Sequence, residues 1–138
     1  MAIVGIYGYR RGVSEVRKAR VDSAAVTGGI KKGDFLKWST AGYVTQATAG
    51  DLPCAISNET CETIPTNDGD REIEAEFSPL AICEYPPDAG TVTVGLIGKT
   101  CDIGGAQSID IDATVDDCIE IVDVDLVNNT VSIKVKFD

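Results

Sequence analysis

From residue 31 onward the chain is a succession of short stretches in which apolar and polar residues alternate, each ending in a turn signal. DFLKW and GYVTQA flank Ser39-Thr40-Ala41-Gly42, which predicts a hairpin over residues 34–47. LPCAIS follows the turn at Gly50-Asp51, and a polar loop, NETCETIPTNDGD, comes next. REIEAEF sets Ile73, Ala75 and Phe77 against Glu72, Glu74 and Glu76, the pattern of a strand with one wet face. LAICEY, TVTVGLIG and QSIDID read as further strands. DCIEIVDVD changes parity between Ile121 and Val122, which a β-bulge or burial on both faces would explain. After a turn at Asn128-Asn129, VSIKVKF places Val131, Ile133, Val135 and Phe137 on one face. Many short strands between turns, with no long helical period, predict an all-β protein. The expected form is a small β-barrel or β-sandwich body of short antiparallel strands.

Residues 1–30 differ. They hold five of the fourteen glycines and most of the arginines. AIVGIYGYRRG reads as a short strand ending at Gly12, and VSEVRKARVDSAAV as weak helix or extended chain. The segment is therefore expected to be an extended N-terminal arm that reaches roughly 100 Å when stretched. Pro86-Pro87 is disfavoured within a central strand and marks a boundary between two halves. The expected division is an arm at 1–30, a first β half at 31–90 and a barrel-like C-terminal half at 91–138.

Charge supports that division. The formal net charge is −10, yet residues 1–40 carry eight Lys/Arg against three acids, and the remainder carries four against nineteen. A basic leader on an acidic body either meets two different surroundings or is the locally basic, solvated edge of a soluble body. Arg10, Arg11, Arg17, Lys18 and Arg20, with Tyr7 and Tyr9 just before them, are the candidate partner-binding residues. They could hold phosphates or stack on bases. The acidic body would repel a polyanion, however, and arginine suits carboxylates at protein interfaces, so protein contact is favoured over nucleic acid.

The chemistry of enzymes is sparse here. Histidine is absent, which removes the commonest general base and metal ligand. Cys54, Cys61, Cys83, Cys101 and Cys118 are odd in number, with no Cys-x-x-Cys pair, and read as buried free thiols in a reducing cytoplasm. Gly98-Lys99-Thr100 has the ending of a phosphate-binding loop, but Thr93 stands where that loop needs glycine and CDIGG is poor helix material. Asp110, Asp112, Thr114 and Asp116 have calcium-loop spacing, but Val115 and Ile121 replace the required glycine and glutamate. No catalytic residue, cofactor or metal is assigned. No apolar run approaches membrane-spanning length. The charges of the apolar start follow it at Arg10 and Arg11, the reverse of a secretory signal, so the N-terminus reads as mature sequence.

The stretch IKKGDFLKWSTAGYVTQATAGDLPCAISNET resembles small capsid accessory proteins of tailed phages. A Lys-Gly-Asp opening leads into a strand, a Gly-containing turn, a strand ending near Gly-Asp and a small-residue strand. VGLIGKTCDI and the closing IVDVDLVNNTVSIKVKF resemble the C-terminal barrel of these head decoration, or cement, proteins. The resemblance covers most of residues 31–138 in pieces and rests on strand and turn signals. It implies a non-enzymatic virion protein, made in the bacterial host cytoplasm. Such a protein binds the major capsid protein on the capsid exterior, as a homotrimer at three-fold positions, with residues 1–30 as the clamp. A β-barrel module attaching a host surface or a head-fibre base is the alternative. A small enzyme using carboxylates or Cys101 is a third possibility, which requires a concave site.

Overall fold

A computed structural model describes residues 8–23, 29–40, 42–62 and 65–138, without the side chains of Tyr9, Arg10 and Thr40. Eleven strands and one 3-10 turn are built from them: β1 (Gly8–Gly12), β2 (Val16–Val21), β3 (Phe35–Thr40), β4 (Tyr43–Gln46), β5 (Ala55–Ser57), β6 (Glu72–Glu76), β7 (Ala81–Tyr85), the turn Val94–Leu96, β8 (Thr100–Gly105), β9 (Ser108–Asp110), β10 (Ile119–Asp125) and β11 (Thr130–Val135). The all-β expectation is met. The alternation of β11 buries Val131, Ile133 and Val135, and the register of β10 slips between Ile121 and Asp123, where the parity change predicted a bulge.

Five strands, in the order β2-β4-β3-β5-β6, close into a barrel. β2 runs antiparallel to β6 and parallel to β4. Its interior is filled by Ala19, Val21, Leu36, Val44, Ala55, Ile73 and Ala75, among others. The other six strands form a sheet in the order β1-β7-β11-β10-β8-β9. That sheet curls until β9 meets the continuation of β7: the Ile109 N–H donates to the Pro86 carbonyl (3.1 Å), and the Asp88 N–H to the Ile109 carbonyl (2.8 Å). Closure of this kind leaves few strand edges open to a passing chain.

Three expectations are corrected. Residues 8–23 are not a separate arm. β1 pairs with β7, and β2 is a stave of the first barrel, with Ala19 and Val21 in its core. Extended chain with alternating Arg17/Ala19/Val21 and Lys18/Arg20 satisfies a barrel wall as well as it would an arm. The proposed boundaries also move. β7 lies before Pro86-Pro87 yet belongs with β8–β11, so the chain passes between units at 13–15 and again at 77–80. TVTVGLIG is not a strand either: Val94–Leu96 is a single 3-10 turn with Val94 and Ile97 exposed.

The units share a junction. Phe35, Ala47 and Ile56 of the barrel pack with Tyr85, Ile103 and Ile109 of the curled sheet. Phe35 stacks on Tyr85 with centroids 4.4 Å apart, and its N–H donates to the Ala106 carbonyl at 2.7 Å. The Lys-Gly-Asp opening of β3 organises this junction. The buried Asp34 carboxylate accepts the Lys31 N–H (2.8 Å), Gln46 Nε2 (2.7 Å) and, from the other unit, Gln107 Nε2 (2.8 Å). The Tyr85 hydroxyl donates to the Gly33 carbonyl at 2.6 Å. Tyr85→Phe keeps the ring and deletes that donor. Leaving a buried carbonyl short of a partner is expected to cost about 1–2 kcal/mol, measured by urea unfolding with an unchanged slope.

Candidate functional site

The two passages between units lie side by side. Gly12 is in register with Ala81 and Val16 with Glu76, while the Phe77 N–H donates to the Glu15 carbonyl at 2.9 Å. The approach is tight at Gly12. Its φ of +88° is a left-handed conformation, and a Cβ there would stand 2.5 Å from the Leu80 carbonyl oxygen, so only glycine fits.

Glu76 clasps both passages. Its side chain shares the outward parity of Glu72 and Glu74, but the 13–15 crossing covers it, and it is fully buried. It accepts the Ser14 hydroxyl and the Glu15 N–H (2.6 Å) from one passage and the Ser78 N–H (3.1 Å) from the other. The expected wet face of β6 therefore ends at Glu74. All three named donors are uncharged, and two are backbone groups at fixed positions. The bridge is held by geometry as well as by chain connectivity.

The outside of this bridge is apolar. Val13 is 61 % exposed, Val16 48 %, Leu80 54 % and Trp38, at the adjoining barrel mouth, 43 %. Half-buried Phe77 lies beside Trp38, its ring centroid 6.5 Å from that of Trp38 and 4.1 Å from the Arg17 guanidinium carbon. Exposed apolar side chains around one bridge of a charged protein, with a tryptophan and an arginine beside them, have the composition of an interface centre.

The sequence-predicted residues divide around this surface. Tyr7 lies outside the described residues, as do the side chains of Tyr9 and Arg10; the backbone of those two belongs to β1. Arg11, Arg17, Lys18 and Arg20 are exposed. Lys18 pairs with Glu74 at 3.7 Å, and Arg20 stands opposite Glu72 in register. The outer face of β2 thus presents alternating charge across the β2–β6 pair, not a continuous basic strip. Among the described side chains of this group, only Arg17 reaches the aromatic pair Trp38–Phe77. The barrel strands and loops, residues 16–77, carry seven Lys/Arg against ten Asp/Glu, so the sequence division into a basic leader and an acidic body dissolves in the fold. Sequence reasoning missed Val13, Val16, Trp38, Phe77 and Leu80. The crossing at residues 12–16 and 76–81 that gathers most of them is a tertiary fact, although an exposed tryptophan beside a strand turn was available as a signal.

The remaining motifs are structural. All five cysteines are buried and none is in a disulfide. Burial pushes Cys54 and Cys101 up to about 12 and Cys118 to about 11, so thiolate chemistry at these groups is suppressed at neutral pH. The loop after Asp110 is organised by a protein carboxylate. Buried Asp102 accepts the N–H groups of Val115 (3.1 Å), Asp116 (2.9 Å) and Asp117 (2.8 Å). Gly98 makes the turn into β8, and no helix follows Thr100. Among the described residues, no group of three or more ligating side chains is placed to hold a metal ion, and no helix is long and apolar enough to cross a membrane. No protein-family model matches the chain, and no curated protein or solved structure matches it either.

Proposed function

We propose that this protein is a structural component of a virus-like shell, which binds the outer surface of the assembled capsid through the bridge face and stabilises it. The observation that carries the reading is the set of exposed apolar residues, Val13, Val16, Leu80 and Trp38, on and beside a bridge held by a buried carboxylate, with Trp38 next to Phe77. The kind of partner follows from the resemblance of residues 31–138 to phage head decoration proteins. Alternating charge on β2, and a net charge of −10, favour a protein partner over nucleic acid.

Burial would supply the stabilisation. A specific contact covers on the order of 1,000 Å² or more. Binding to assembled shell, and not to free subunits, draws the equilibrium toward assembly by mass action. A homotrimer at three-fold positions would multiply a modest contact by avidity. The acidic remainder would face solvent and keep particles apart.

The test is co-sedimentation of the purified chain with heads isolated from particles lacking it. Wild-type protein is expected to bind and to raise the temperature at which heads rupture. Val16→Asp puts an unpaired charge into the contact and is expected to weaken binding at least about a hundredfold while leaving the fold intact. Heads that neither bind the protein nor gain strength from it contradict the reading.

A further inference from the structure

We infer that Arg17 sets the specificity of the bridge face, and that the group it takes is a carboxylate on the shell protein, seated among apolar side chains. This rests on the shell-binding reading above. Three observations meet at Arg17. Its guanidinium lies 4.1 Å over the Phe77 ring, which restrains it against the aromatic face. Its Nε stands 3.6 Å from Glu15 Oε2, close enough for an ion pair but beyond hydrogen-bond length. Exposed Trp38 lies 6.5 Å from the Phe77 ring, and exposed Val16 precedes Arg17 in β2.

A stacked guanidinium keeps its N–H edge directed outward, and that edge matches the two oxygens of a carboxylate. Glu15 holds the charge in place without using the fork. Docking would bury the stack, remove water from the pair and strengthen it. The surroundings select a single carboxylate over a row of phosphates: Glu15 and Glu74 lie beside Arg17 and Lys18, and Lys18 is already engaged by Glu74. A polyanion would meet these acids at its next phosphate, whereas a protein carboxylate flanked by apolar side chains would meet Phe77 and Trp38.

The experiment measures binding of the full-length chain to heads lacking it, with Arg17→Ala, Arg17→Lys and Val16→Asp variants, each shown to be folded by its circular-dichroism melt. A single-stranded DNA oligonucleotide serves as competitor. Arg17→Ala and Arg17→Lys are both expected to weaken binding by about tenfold or more, because lysine keeps the charge but not the planar fork. The oligonucleotide is expected not to compete. If both Arg17 variants bind like wild type while Val16→Asp does not, the carboxylate inference fails and the shell-binding reading stands. Full activity of Arg17→Lys together with competition by DNA points to phosphate and also overturns it. Wild-type protein that does not bind heads removes both.

Discussion

Between pH 9 and pH 11 the protein is expected to lose a large part of its stability. The cause is the set of buried thiols. Cys54, Cys101 and Cys118 have an ordinary value near 9, and burial raises them to about 12, 12 and 11. Near neutral pH both the folded and the unfolded chain keep these protons, and the thiols pack as small apolar groups. Above pH 9 the unfolded chain releases protons that the folded chain retains, so the unfolded state gains with each further step. The three together remove roughly 4 kcal/mol per pH unit until the folded-state values are reached. A domain of this size has only about 5–15 kcal/mol in hand. Urea midpoints measured across this range should fall steeply, and replacing the three cysteines with alanine should flatten the fall even though it lowers stability at neutral pH. A midpoint that does not change between pH 9 and pH 11 contradicts the burial of these groups.

The second large effect is at Glu76. Glu76→Ala leaves the Ser14 hydroxyl and the N–H groups of Glu15 and Ser78 without their acceptor. Each unsatisfied donor costs about 1–3 kcal/mol before water relieves it, so a loss of about 3 kcal/mol is expected. Glu74→Ala, one pleat away, breaks only the exposed pair with Lys18 and is expected to change stability by less than about 1 kcal/mol. Chemical denaturation of the two variants side by side makes the comparison. Glu76→Ala should also loosen the bridge and weaken head binding, whereas Glu74→Ala should spare both. Equal, small effects would show that the passages are held by chain connectivity alone.

These two glutamates show how far the sequence could be read. Strand identity was legible wherever one face is wet: Ile73 and Ala75 in β6, and Val131, Ile133 and Val135 in β11, fall inward as their alternation requires. The hairpin over 34–47 and the slip in β10 were legible for the same reason. Glu76 was not, because alternation reports which face a residue is on and not what later crosses that face. The N-terminal segment failed in a related way. Arg17, Lys18 and Arg20 look like a solvated basic leader until β6 supplies the facing glutamates. TVTVGLIG failed because β-branched residues favour extended chain but do not specify a ladder partner. Instead its end is fixed by the Gly98 N–H donating to the Ile121 carbonyl at 2.8 Å. Of the candidate site, Arg17 was visible as one cation among several. Its stacking on Phe77 depends on two segments sixty residues apart being laid side by side.

The most direct test of the central claim is a cryo-EM map of heads bearing the protein. The chain is expected on the outer surface at three-fold positions, with Val13, Val16, Trp38 and Leu80 against the shell and the acidic remainder outward. A chain absent from the shell, or one bound with that bridge facing solvent, would contradict it.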